Sequence, residues 1–154
     1  MTRVIEFKVW DNKKKEIRFV EQLCFLTKMI QARTCDWLDP TGSVLMQYTG
    51  IEDIKGMKMF EDDIVKFDSY YSGDYKIPAG KGVIVYDNGS YMIMSTDSPE
   101  LCSENVKNHS IEVIGNIHTN FIEASGIIDK LIENQKDLPE EFYKTIDENF
   151  WELI

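Results

Sequence analysis

The chain has 154 residues, enough for one domain with a real core, and an apolar content of 43% that is ordinary for a soluble globular protein. Its net charge is −10, and unevenly spread: residues 1–35 hold eight bases and four acids, residues 36–154 nine bases and twenty-three acids. A body this acidic repels phosphate, which disfavours nucleic acid as the main partner, and no apolar run nears the roughly 20 residues needed to cross a bilayer, so no membrane partner is expected. Three cysteines, Cys24, Cys35 and Cys102, are odd in number and widely spaced. That predicts free thiols in a reducing compartment, the cytoplasm by default. The first ten residues alternate polar and apolar, so no secretory leader is expected.

Along the chain, Ile5, Phe7 and Val9 alternate with Glu6 and Lys8, the period-2 signature of a half-buried strand. Asp11-Asn12-Lys13 is a turn signal, and Ile17 and Phe19 resume the alternation, so residues 3–20 are predicted to form an antiparallel hairpin. Lys13, Lys14 and Lys15 would then sit at a solvated hairpin tip. Leu23 to Ile30 is apolar without a clear period and fits a short strand or a helix. Asp39-Pro40-Thr41-Gly42 is a strong turn, and Val44 to Tyr48 a strand. Thr49-Gly50 and Lys55-Gly56 are two further turn signals. An acidic corner follows, Glu61-Asp62-Asp63, opening into the apolar strand Ile64 to Phe67.

Ser69 to Gly80 is rich in Tyr, Ser and Gly and is predicted to be a loop, with Gly80-Lys81-Gly82 a turn before a strand. Tyr86-Asp87-Asn88-Gly89-Ser90-Tyr91 is the clearest local signal. Asn-Gly suits the two positive-φ positions of a type I′ turn, so residues 82–86 and 90–94 should pair with Tyr86 beside Tyr91. Residues 95–109 are a polar excursion. Ile111 to Ile117 reads as a strand in which Gly115 suits a bulge or a close backbone approach. From Phe121 onward the spacing turns helical, with Ile127, Ile128, Leu131 and Ile132, then Phe142, Ile146 and Phe150 at i, i+4, i+8. Phe150 and Trp151 close the chain on an apolar note that predicts packing against a surface.

Three stretches together resemble the YopX family, small proteins of bacteriophages and integrated prophages. They are Lys8-Val9-Trp10-Asp11; Leu45 to Gly50 with Phe60-Glu61-Asp62-Asp63-Ile64-Val65; and Ile111-Glu112-Val113-Ile114-Gly115-Asn116-Ile117. The resemblance spans about residues 3–122. It implies a phage origin, a mainly β fold and the bacterial host cytoplasm, and it carries over no catalytic residue. The family usually has Glu-Gly-Asp at the corner, where this chain has Glu61-Asp62-Asp63. Asp tolerates the left-handed region better than most residues, so the exchange is physically allowed.

Chemistry has few footholds. Cys102, His109 and His118 lack the tight pair spacing of a zinc site, so no metal is expected. No P-loop, dinucleotide loop or Gly-x-Ser-x-Gly motif is present, and no cofactor or catalytic residue is assigned. Glu61, Asp62 and Asp63 could hold magnesium, but such residues more often shape a turn through their own backbone amides. Tyr70, Tyr71 and Tyr75 form the most suggestive binding feature, either as adaptable contact surface or as a stacking platform for bases, while packing in the core or at its rim is the commoner role for such rings. Phe142, Phe150 and Trp151 form a second candidate contact face.

The expected architecture is mainly β (α+β), a small SH3-like, partly open barrel. A β domain fills residues 1–120, with its hairpin at 3–20 and barrel core at about 44–117, and a helical extension follows at 121–154. The expected function is that of a non-catalytic phage accessory protein, binding a protein partner or itself as a homo-oligomer. A nucleic-acid-binding barrel is the alternative, and a metal-assisted hydrolase on the acidic corner ranks last.

Overall fold

A computed structural model describes residues 2–34, 36–87, 89–95 and 110–120, with Gly126. The polar excursion, Cys35, Cys102, His109, Asn88 and the helical extension with Phe142, Ile146, Phe150 and Trp151 lie outside the described residues, apart from Ser95 and Gly126. The fold is mainly β, and the chain divides into two compact units, Met1–Glu61 and Asp62–Ile154. Among the described residues no helix is long and apolar enough to cross a membrane.

The first unit is one antiparallel sheet. Its strands are β1 (Phe7–Asp11), β2 (Glu16–Cys24), β3 (Met29–Ala32), β4 (Trp37–Leu38), β5 (Ser43–Glu52) and β6 (Lys58–Phe60), ordered β4-β3-β2-β1-β5-β6. The 3–20 hairpin forms as expected, with Lys8 opposite Phe19 and Trp10 opposite Ile17. The burial differs from expectation. β1 is buried on both faces, Trp10 packing with Met46, Tyr48 and Phe60 and Val9 with Ile30 and Ala32 on the other side. Ile5, assigned to the inner face, lies before β1 and is 63% exposed. The ambiguous segment after Leu23 is neither one strand nor a helix, because β2 runs on to Cys24, turns, and returns as β3. Lys28 turns the chain there with φ +57°.

Pro40–Gly42 forms a single 3-10 turn, capped by Asp39, whose carboxylate accepts the Thr41 N–H at 2.7 Å. Thr49-Gly50 is not a turn. It lies within β5, where the register to β6 shifts between Tyr48 and Glu52 and Gly50 takes φ +86°, a bulge that only Gly adopts without strain. Lys55-Gly56 is the turn, held by buried Asp53, which accepts the N–H groups of Lys55 and Met57 at 2.8 and 2.9 Å.

The second unit holds β7 (Asp63–Phe67), β8 (Tyr70–Ser72), β9 (Tyr75–Ile77), β10 (Gly80–Asp87), β11 (Ser90–Ser95) and β12 (Ile111–Asn116). Four of these form an antiparallel sheet ordered β11-β10-β7-β12, and β8 and β9 make a separate two-stranded ribbon. Val83, Ile64 and Met94 are buried on one face, Ile84, Val65 and Ile93 on the other, which is why β7 and β10 read as continuous apolar runs. The Tyr86–Tyr91 pairing forms in the expected register, with ring centroids 5.1 Å apart and Gly89 at φ +85°. Gly80-Lys81-Gly82 is strand, not turn. A Cβ on Gly82 would stand 2.6 Å from both Ile93 Cγ2 and the Met94 carbonyl oxygen. Both sheets are open among the described residues, with edge strands that do not pair to each other.

Candidate functional site

The acidic corner is where the sequence concentrates carboxylates, and in the second unit it forms a polar clasp. Asp62 occupies the left-handed region at φ +67°. Its N–H donates to the Ile84 carbonyl at 2.9 Å, and its own carbonyl accepts the Ile117 N–H at 3.0 Å. One residue thereby ties the start of β7 to β10 and to the segment after β12. Its side chain adds a third tie, with Oδ2 2.9 Å from His118 Nε2. A carboxylate accepts, so this nitrogen carries the proton.

Asp63, also buried, accepts from Asn116 Nδ2 at 3.1 Å. Asn116 Oδ1 accepts the His118 N–H at 3.0 Å, and the Asn116 carbonyl accepts the Asn120 N–H at 2.8 Å. Asn120 Oδ1 in turn takes the Asn116 N–H at 3.2 Å. Gly115 makes this fit possible. The register to β7 shifts between Val113 and Gly115, and a Cβ on Gly115 would stand 2.6 Å from Asn120 Oδ1. Bulge and close approach coincide at this glycine. Glu61 belongs to the first unit, where its N–H donates to the Gln47 carbonyl at 3.0 Å.

An imidazole oriented by a carboxylate is half of an acid–base device. This one cannot act as such in the observed conformation, because the His118 side chain has no exposed surface from which to meet a substrate. Among the described residues no three His, Cys, Asp or Glu side chains cluster as a metal site. Asp62, Asp63 and His118 hold three segments together. His118 was weighed in the sequence only as a metal ligand with Cys102 and His109, and the signal for the role it has here was an Asp standing where the family has Gly.

The tyrosines do not act as one surface. What was expected to be a loop is the β8–β9 ribbon, with Tyr70 opposite Ile77, Tyr71 opposite Lys76 and Ser72 opposite Tyr75. Alternation separates the rings. Tyr70 is in the core, edge-on to Phe67 at 6.1 Å, while Tyr71 and Tyr75 are 70% and 79% exposed and stand on opposite faces of the ribbon. A stacking platform needs its rings on one side.

The basic run is a turn. Asp11 Oδ1 accepts the N–H groups of Lys13 and Lys14 at 2.9 and 3.1 Å, and Lys14 Nζ pairs with Asp36 at 2.6 Å. Nearly buried Arg18 joins the same group, bonding Asp11 at 2.6 Å and Asp36 at 2.7 Å. Burial alone would raise the Asp11 pKa, but the Lys14 and Lys13 amides and the Arg18 charge together hold it below its ordinary 3.8. Hydrogen bonds from Lys14 and then Arg18 hold Asp36 below 3.8 as well. Cys24 is a free, half-buried thiol, made more acidic than usual by a hydrogen bond with the Thr27 side chain.

These features define a mainly β protein whose corner carboxylates serve its fold. The sequence pattern of the family described as YopX protein matches residues 6–121, and the chain belongs to that family. Two solved structures share the fold. Protein EF1440 from Enterococcus faecalis is 23% identical, with a TM-score of 0.57 over 80% of this chain and 99% of that one. Protein yopX from Bacillus subtilis is 19% identical, with a TM-score of 0.51 over 75% of this chain and 94% of its own. No curated protein matches the chain.

Proposed function

We propose that this chain is a phage-encoded accessory protein of the host cytoplasm that acts by protein–protein contact and assembles with itself, without catalysis. One observation carries the reading: large apolar and aromatic side chains stand out in solvent on ribbons and turns, Phe25, Tyr75 and Tyr71 foremost among the aromatics. Solvent-held tyrosines are contact surface of low ordering cost. The sheets, open among the described residues, support the same reading, since an unpaired strand edge invites pairing unless it is covered.

The nucleic-acid alternative meets two obstacles, the split tyrosines and the net charge of −10. Light scattering across a concentration series, beside a DNA and RNA titration at low salt, tests both. A mass above the 17.9 kDa of one chain with no nucleic-acid affinity is expected. A monomer at every concentration that binds either nucleic acid would overturn the proposal.

A further inference from the structure

β1 runs antiparallel to both β2 and β5, so β2 and β5 point the same way and the turns that follow them lie at one end of the first sheet, where the segment before β1 also starts. Val4 and Ile5 precede β1, Phe25 and Leu26 tip the β2–β3 turn, and Ile54 and Met57 the β5–β6 turn. All six are at least half exposed, Phe25 at 86% and Leu26 at 93%. At roughly 200 Å² for a large residue fully in water, these exposures present about 700 Å² of mostly apolar surface at that end. Soluble monomers seldom leave so much together, and a patch of this size marks a contact.

We infer that two copies of the chain meet through this end, tip against tip, in a two-fold dimer. The inference rests on the self-assembly proposed above and names the surface that performs it. Area is the first argument. Paired with itself, the patch buries about 1,400 Å², within the ~1,200–2,000 Å² of a stable protein interface, so a copy of the same surface is a partner of sufficient size. The rim is the second. Arg3, Lys28 and Lys55 stand exposed among the apolar pairs, and Glu21 and Glu52, also exposed, stand on β2 and β5 just behind the two turns. A rim of both signs suits neither a purely anionic nor a purely cationic partner. Across a two-fold axis each rim faces its own copy, and mixed signs are what let a surface complement itself. Met1–Glu61 holds ten bases and nine acids, so net charge within the first unit neither drives nor bars the contact. Burial of the apolar tips supplies the attraction, and a two-fold contact closes at two copies.

The test is the solution mass of the full chain, measured by light scattering over a concentration series at about 0.05 and 0.5 M salt. Phe25→Ser/Leu26→Ser and Ile54→Ser/Met57→Ser are measured beside the wild type, with far-UV circular dichroism to confirm the fold. The wild-type mass should level off at twice the 17.9 kDa of one chain and should not fall at high salt, because apolar burial is not screened. Both variants should stay folded and associate roughly tenfold or more weakly, since the altered side chains already stand in water. A wild-type oligomer with unchanged mass in both variants would overturn the docking surface and leave self-assembly standing. A mass that climbs past two copies would overturn the two-fold contact and leave self-assembly standing as well. A wild-type monomer at all concentrations would overturn both. Sedimentation of a monomeric wild type with phospholipid vesicles, lost in the Phe25/Leu26 variant, would assign the tip to a lipid surface and so overturn the inference.

Discussion

Asp62 answers two demands at once. Its φ of +67° belongs to a region that costs an ordinary L-residue roughly 1–2 kcal/mol, and its carboxylate is the partner of a fully buried imidazole. Glycine would meet the first demand and fail the second. Asp62→Ala fails both and should lose about 2–3 kcal/mol, from backbone strain and a buried donor left without its acceptor. Asp62→Asn keeps an acceptor oxygen and tolerates the left-handed region, so its loss should stay below about 1 kcal/mol. Urea unfolding of the two variants measures the order, and equal losses would mean that the His118 contact contributes little. The corner's turn into an apolar strand was legible in the sequence, although the carboxylates of Asp62 and Asp63 bond the His118 and Asn116 side chains where bonds to their own backbone amides were expected. Its partner was not. His118 lies 56 positions away, and neither periodicity nor spacing brings two such residues together.

Local elements were legible where turn chemistry or alternation is strict. The β10–β11 hairpin was fixed by Asn88-Gly89 alone, and the observed register, Asp87 opposite Ser90, leaves a two-residue loop. Gly89 at φ +85° has open space around it, so a substitution there meets backbone strain and no clash. Gly89→Val should therefore cost about 1–3 kcal/mol, and Gly89→Asn clearly less, since Asn enters that region more readily. Thermal unfolding distinguishes them, and equal midpoints would remove the positive φ of Gly89 from the explanation. Reading failed where one glycine serves two geometries. Thr49-Gly50 resembles a turn, but its positive φ makes a bulge inside β5, and what decides is whether the ladder resumes beyond it, as it does at Glu52 opposite Lys58. The tyrosine-rich stretch failed for a related reason. A three-residue strand is too short to display a period, and composition alone read as loop.

At the scale of the whole chain, acid should act in two separate steps. The net charge falls from −10 at neutral pH to zero near the pI of about 4.7, where charge repulsion vanishes and solubility should be lowest. Folding should outlast that point. Asp11 and Asp36 are both more acidic in the folded chain than their ordinary 3.8. Groups depressed in this way stabilise the fold above their unfolded pKa, and that contribution is lost as pH falls through the folded values. The loss therefore belongs below about pH 4, after the solubility minimum has been crossed. Asp11→Asn separates the steps. Asparagine still accepts the Lys13 and Lys14 amides, but it leaves the nearly buried Arg18 with Asp36 and Glu16 alone. Stability at pH 7 should fall by about 1–3 kcal/mol, and the decline below pH 4 should become shallower while the solubility minimum barely moves. Urea midpoints from pH 7 to 2.5, beside turbidity over the same range, measure both. An acid decline as steep in Asp11→Asn as in the wild type would place the acid-sensitive carboxylates elsewhere in the chain.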